Sequence, residues 1–293
     1  MANDLSAFNA VAFSKKLIMN LDKVNVMLPL VNRDIEGEIK NLGDSVKVRT
    51  LGSVTMKPYT KNSTQIAYED LAPATETMNV NDAQYFAFQV DDVDDAQTDL
   101  PTLDLYAQRA AVAMNDEIEV KLLSNYAAAH ADNRITAAAD VAIALDETNI
   151  YDYIVEARKR LNKKSVPSLG RWMVIDPDTE ALLLKSDLIV KGGVEANYRT
   201  VQTGQVNGDV RPGYCGKIAG FDIFCSNNVP VSGGAKYIQF GDKYAIAYAA
   251  QINKVERLRL QSAFANAVRG LLLHDTHVFD ENSKRFGSLK VVA

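Results

Sequence analysis

Trp172-Met173-Val174-Ile175-Asp176-Pro177-Asp178 is the stretch that decides the fold class. Four apolar residues in succession, the last two β-branched, fit a short strand buried on both faces. Asp176 then stands where a helix N-cap belongs, and Pro177 where the first helical residue belongs. A helix entered there carries Ala181, Leu184 and Leu188. Strand, cap and helix in immediate succession mark a mixed α/β region.

Just upstream, a helix is expected after Thr148, with Ile150, Ile154, Ala157 and Leu161 on one face. Arg158, Lys159, Arg160, Lys163 and Lys164 gather near its C-terminal end. Cations there complement the helix dipole; a nucleic-acid patch is the other reading. Downstream, residues 190–235 are rich in glycine and loops. They enclose a short strand, Phe221-Asp222-Ile223-Phe224, that ends at Asn227-Asn228. Alternating sets follow at Tyr244, Ile246 and Tyr248, at Val255 to Leu260, and at Val268 to Leu273.

Farther upstream lies the clearest helix, 101–126, opened by Thr98 or Asp99 and Pro101. Its apolar stripe is Leu103, Tyr106, Ala110, Met114, Ile118, Leu122 and Tyr126. At 1.5 Å per residue it is a rod of about 39 Å, long enough to be a spine. The Ala-rich segment 127–145 is expected to hold turns or short strands.

Residues 36–95 contain two alternating runs, Ser45-Val46-Lys47-Val48-Arg49-Thr50 and Tyr85-Phe86-Ala87-Phe88-Gln89-Val90. A long two-stranded hairpin with part of the intervening segment extending its strands accounts for both. Such a hairpin is barely stable alone and needs something to rest on. Before it, Phe8, Val11, Ala12, Lys15 and Met19 fit a short helix, and Val24 to Val31 reads as extended. The N-terminal stretch is either an arm seeking a partner or a plain first helix.

Charge in this region is segregated. Lys40, Lys47, Arg49, Lys57 and Lys61 precede a stretch from Ile66 to Asp104 that has no Lys or Arg. That stretch holds Glu69, Asp70, Glu76, Asp82, Asp91, Asp92, Asp94, Asp95, Asp99 and Asp104. One reading is solvated faces that happen to cluster. The other is a positive arm complementary to a negative patch on a neighbouring subunit, where such fields steer and register docking.

Composition excludes several classes. The chain has 293 residues, 47% apolar and 24% charged, with a net charge of −5. These are the values of a globular protein with one large or two ordinary domains. A whole-chain electrostatic grip on nucleic acid is not expected. Two cysteines make no disulfide scaffold. No apolar run is long enough to cross a bilayer, and no signal peptide opens the chain, so a soluble protein made inside the cell is expected. Phosphate-loop, nucleophile-elbow and dinucleotide signatures are absent. His274-Asp275-Thr276-His277 offers two imidazoles three apart, which reach one ion only in a helix or tight turn. Cys215 and Cys225 lack paired Cys-x-x-Cys knuckles and read as free thiols or packing. No catalytic residue, cofactor or metal is assigned.

The order of parts is similar to that of tailed-bacteriophage major capsid proteins of the Hong Kong phage 97-like fold. The likeness spans essentially the whole chain, by layout more than by an invariant signature. It rests most specifically on Leu42-Gly43-Asp44-Ser45-Val46-Lys47-Val48, on Trp172 to Asp178, on Gly220-Phe221-Asp222-Ile223 and on Tyr237-Ile238-Gln239-Phe240-Gly241-Asp242. The resemblance implies an α+β chain divided into an N-terminal arm (1–39), an extended loop (40–95) and a peripheral domain with the spine helix (96–147). An axial domain (148–243) and C-terminal strands returning to both domains (244–293) complete it.

It implies a non-enzymatic coat protein of the virion, assembled in the host cytoplasm as hexamers and pentamers of an icosahedral or prolate shell. Its expected partners are a separate scaffolding protein, portal and decoration proteins, and packaged double-stranded DNA held by non-specific contact; no membrane is involved. The loop starts too near Met1 for a cleaved scaffold segment to precede the arm, so no large N-terminal cleavage is expected. Some members of the family crosslink a loop lysine to a neighbour's asparagine, and Lys57 and Lys61 lie near the loop tip, but no motif marks a partner. The alternatives are an encapsulin-type compartment shell and an α/β enzyme without a recognisable motif. Lys47, Arg49, Lys57 and Lys61, facing Asp91, Asp92, Asp94 and Asp95 of a neighbour, are the expected intersubunit residues.

Overall fold

The structure is a computed structural model that describes residues 25–34, 45–50, 56–61, 65, 68, 74–91, 102–137, 140–186, 213–260 and 264–292. The N-terminal helix expected around Phe8 to Met19, Leu188, and the glycines from Gly192 to Gly208 lie outside these residues.

In chain order the strands are β1 (Ser45–Thr50), β2 (Ala74–Asn79), β3 (Asp82–Asp91), β4 (Arg134–Ile135), β5 (Arg171–Ile175), β6 (Tyr214–Ile218), β7 (Phe221–Cys225), β8 (Val231–Ser232), β9 (Ala235–Asp242), β10 (Ala247–Arg259), β11 (Ala265–His277) and β12 (Phe286–Val292). The helices are α1 (Thr102–Leu123), α2 (Ile150–Lys163), α3 (Pro177–Lys185) and α4 (Asp280–Ser283). Among the described residues the strands form three sheets. One is mixed and seven-stranded, in the order β4-β12-β9-β5-β7-β6 with β8 added to β9; the others are β10-β11-β3 and the pair β1-β2.

The apolar run at 171–175 is continuous because β5 sits in the middle of the seven-stranded sheet, parallel to β7 and antiparallel to β9. Met173 and Ile175 face one cluster, with Phe221, Ile223 and Phe240, under α2 and α3. Trp172 and Val174 face the opposite cluster, with Phe224, Phe286 and the C-terminal turns of α1. A strand covered on both faces has no polar side to show.

Asp176 is extended at the head of α3, and Pro177 follows it. Its carboxylate accepts from the Thr179 hydroxyl and from Lys236 Nζ at 2.7 Å. The face of α3 differs from the expected one. Thr179 and Leu183 are buried, whereas Ala181 and Leu184 are exposed. Pro177 starts the helix in a rotation that turns Leu183 toward α2, a frame that three similar aliphatic residues in a row do not specify. In α2 the expected Ile150, Ile154, Ala157 and Leu161 are the buried residues. Three of the five basic residues at its end are engaged within the chain. Lys159 and Arg160 pair with Glu156, Arg160 donates to the carbonyls of Asp132 and Arg134, and Lys164 lies 2.5 Å from Asp132.

The spine α1 has 22 residues, and the chain tightens into a 3-10 segment from Ser124 to Ala128. Ile118 and Leu122 are buried, Tyr106 meets Phe88 at 5.8 Å, and Tyr126 stacks on Tyr237 at 4.0 Å. The stretch expected to be extended is not extended at Leu28–Leu30. Pro29 forms a 3-10 turn closed by the Asn25 side chain, which accepts from the Leu28 amide at 2.9 Å. Val26, Met27, Leu30 and Val31 are buried in the cluster around Trp172.

The pairing expected of the two alternating runs is also different. β1 pairs with β2, in the register Ser45↔Asn79 to Thr50↔Ala74. The run Tyr85 to Val90 belongs to β3, which pairs with β11 from Ala265↔Asp91 to His274↔Asp82. Alternation identifies a half-exposed strand but carries no information about its partner.

Candidate functional site

The hairpin β1-β2 is anchored on the chain near its Asn79 end. Met78 and Val80 are buried with Ala247, Ala249, Leu273 and Phe279, and Val48 packs on that cluster. The Glu76 carboxylate, opposite Val48, accepts from the Asp280 amide at 2.9 Å. Lys47 is exposed on β1, opposite Thr77. Arg49 lies two residues along the same strand, so the backbone puts both positions on one face. Past β1, Lys57 and Lys61 are exposed, as are Met56, Tyr59 and Tyr68, of which Tyr68 is 94% exposed.

Of the acidic candidates, Asp91 is exposed at the end of β3, paired with Ala265. Asp92, Asp94 and Asp95 lie outside the described residues. Other acids of the same run serve the chain itself. Asp82 lies 2.7 Å from Lys121 of the spine, and Asp275 lies 3.4 Å from the same lysine. The hydrogen bond from Lys121 holds the Asp82 carboxyl below its usual range. Burial alone would lower the Lys121 ammonium, but the two carboxylates override it and raise it.

The sheet β10-β11-β3 has two unlike faces. Phe86 and Phe88 turn toward the spine, whereas Tyr85, Ala87 and Gln89 are exposed. Tyr85 is 79% exposed and adjoins Leu271 across the strands, in a shallow hollow edged by Glu256 and Arg269. Those two form an ion pair at 2.5 Å. Gly270 is required here, because a Cβ would collide with the Phe86 ring. This exposed aromatic was readable as the odd positions of an alternating run, but nothing in the run shows which face is covered.

The histidines do not converge. His274 and His277 both lie on β11, where residues three apart face opposite sides. His274 is fully buried beside Tyr248, and burial lowers its pKa. His277 meets the edge of Phe279. Among the described residues the arrangement is therefore a basic hairpin on an apolar foot, beside a sheet that exposes Tyr85, Ala87 and Gln89 on one face.

Residues 30–279 match the family model of phage capsid proteins. The chain belongs to that family. It is a shell-forming major capsid protein, a structural coat protein of the virion that associates with copies of itself. Solved structures place its fold. A chain from Mycobacterium phage Che8 is 23% identical, with 96% of this chain and 97% of that one covered and a TM-score of 0.71. The capsid of Ralstonia phage GP4 is 12% identical, with 97% and 95% covered and a TM-score of 0.74. An encapsulin from Synechococcus elongatus PCC 7942 is 12% identical, with 100% and 96% covered and a TM-score of 0.64. These likenesses show the fold, which is α+β and Hong Kong phage 97-like. No curated protein matches the chain by sequence.

Proposed function

We propose that copies of this coat protein associate as hexamers and pentamers into a closed icosahedral or prolate shell around double-stranded DNA, in the host cytoplasm. The single observation that carries this reading is the hairpin β1-β2, which among the described residues is a separate two-stranded sheet packed on the chain through Met78, Val80 and Val48. Two strands without a third are marginal in water, and tiling subunits supply the missing support. Within that shell, 1–39 is the arm and 40–95 the extended loop. Residues 96–147 and 148–243 form the peripheral and axial domains, and 244–293 returns to both. Lys47, Arg49, Lys57 and Lys61 dock on a neighbour's Asp91, Asp92, Asp94 and Asp95. A separate scaffolding protein, a portal and decoration proteins are its protein partners. DNA is held by non-specific contact.

Sedimentation and negative-stain microscopy of the purified chain, with and without a scaffolding protein, test the reading. Shells or capsomers are expected; a stable monomer at high concentration in both settings overturns it. An encapsulin-type compartment shares the fold and is told apart by cargo: DNA in particles from infected cells supports the capsid, whereas a packaged protein supports the compartment.

A further inference from the structure

Two cysteines and a carboxylate meet where α3 packs on the seven-stranded sheet. Glu180 lies in the first turn of α3, Cys215 in β6 and Cys225 at the end of β7. The register passes from Tyr214↔Phe224 directly to Gly216↔Ile223, so Cys215 is the extra residue of a β-bulge. A bulge re-aims the side chain that it leaves out of the ladder. Both sulfurs thereby reach the cluster on which α3 packs through Leu183. Gly213 makes the bulge possible. Its φ is 66°, and a Cβ there would lie 2.7 Å from the Cys225 carbonyl oxygen. The Gly213 carbonyl accepts from the Cys225 amide at 2.8 Å and from the Cys215 thiol at 3.3 Å.

One carboxylate oxygen of Glu180 and the two sulfurs all lie within 4.8 Å of one another. Left to themselves these groups are unreactive. The neighbouring Cys225 thiol, burial and the Glu180 carboxylate together push the Cys215 thiol far above its usual range. What the trio lacks is positive charge.

We infer that Glu180, Cys215 and Cys225 form a binding site for one thiophilic divalent cation of the zinc type. Zinc takes thiolate sulfur at about 2.3 Å and carboxylate oxygen at about 2.0–2.2 Å in a tetrahedron. Donors then stand roughly 3.5–3.8 Å apart, a closure of about 1 Å that the Glu180 side chain and the strand end at Cys225 can make. Two sulfurs exclude magnesium and calcium, which require oxygen donors. Three protein ligands leave the fourth position to water. On binding, each thiol loses its proton to solvent, so one dication replaces two protons and the site carries a net charge of −1. The ion ties α3 to β7 and to β6, an edge of the seven-stranded sheet, which makes it a staple for that edge.

The test uses the full chain, reduced with a phosphine, stripped with a chelator and then given zinc chloride. One zinc per chain is expected after gel filtration, by elemental analysis and native mass spectrometry, with two protons released per ion and a raised melting temperature. Millimolar magnesium should do nothing. Cys225→Ser and Glu180→Gln alter only partly exposed side chains, so both variants should fold. Each should weaken zinc binding at least tenfold, and Cys225→Ser should release one proton per ion or none. Failure of the reduced chain to retain zinc overturns the site. So does retention unchanged in both variants, which would place the ion elsewhere. Normal shells formed by a chain that takes up no zinc would sink this inference and leave the capsid assignment standing.

Discussion

Strands β5 and β3 are built on opposite plans. All five residues of β5 are buried. In β3 burial alternates, and Tyr85, Ala87 and Gln89 stay in solvent on the face away from the spine. The seven-stranded sheet is finished by its own chain, with a cluster on each face. Among the described residues the three-stranded sheet is covered on one face, and the hairpin is packed through Met78, Val80 and Val48. In a protein that works by touching copies of itself, the regions left incomplete are the informative ones. An exposed aromatic beside an aliphatic is ordinary singly, whereas a large contiguous apolar patch is the kind of surface that binds a partner.

The largest expected effect separates the two plans. Phe221 is fully buried and meets Phe240 edge-on at 6.1 Å. Phe221→Ala should cost about 3–5 kcal/mol, the usual loss for a large core aromatic, and denaturant unfolding of the unassembled chain reads it directly. Tyr85→Ala should change that unfolding by less than about 0.5 kcal/mol, as surface substitutions do, while lowering the yield of shells. Equal unfolding losses in the two variants would erase the distinction.

A smaller effect tests the close packing of the finished sheet. A Cβ on Gly241 would lie 2.8 Å from the Arg285 carbonyl oxygen and 3.0 Å from the Ala245 Cβ. Both neighbours are backbone or fixed to it, so neither can swing aside. Gly241→Ala should therefore cost about 1–3 kcal/mol, the range for overpacking, seen as a lower denaturant midpoint at unchanged slope.

These contrasts also show what could be read in advance. The β5–α3 step was legible because a cap and a proline act locally, and the helix at 150–163 because its apolar spacing has a single solution. The face of α3 was not, since Leu182, Leu183 and Leu184 look alike until α2 is in place. The partner of the Tyr85 run was not either, because β11 lies some 180 residues away in the chain and alternation does not name a partner. The charge segregation was visible, yet Asp82 and Glu76 turned out to serve Lys121 and the Asp280 amide. The meeting of Glu180 with Cys215 and Cys225 depends on a bulge, which leaves no periodic trace.

Acid should act on the boundary between the plans. His274 on β11 is buried, and among the described residues neither ring nitrogen has a hydrogen-bond partner. Burial is the main cause that lowers its pKa below 6.5. Lys121 adds to that, and Asp82, Asp275 and Glu117 oppose it. The unfolded chain therefore binds this proton at a higher pH than the folded one. Stability should fall as pH drops from about 6.5 toward the lowered folded value. Glu119, buried against the Ser226 hydroxyl at 2.5 Å, has the opposite sign. Burial raises its pKa above 4.5, so protonation in the fold relieves a cost as pH falls through that raised value. His274→Leu should flatten the first limb and leave the second; melting temperatures from pH 7.5 to 4 decide it.

The smallest effect per contact concerns the hairpin charges. Lys57 and Lys61 are exposed, as is Asp91, and an exposed pair contributes only about 0.2–1 kcal/mol. One pair cannot hold a shell together. The same pair repeated in every subunit multiplies a small energy and, more importantly, penalises wrong registers. Reversing Lys57 and Lys61 to Glu should impair assembly at low salt while leaving the unassembled chain's melting temperature nearly unchanged. Changing Asp94 and Asp95 to Lys in that background should restore part of it. Raising salt should shrink the gap between wild type and variant, because the screening length falls from about 10 Å at 0.1 M to about 3 Å at 1 M. Normal assembly of the Lys→Glu chain at low salt would remove the charges from the docking argument. Unfolding of that chain before assembly would instead place them in the chain's own fold, where Asp82 and Lys121 already are.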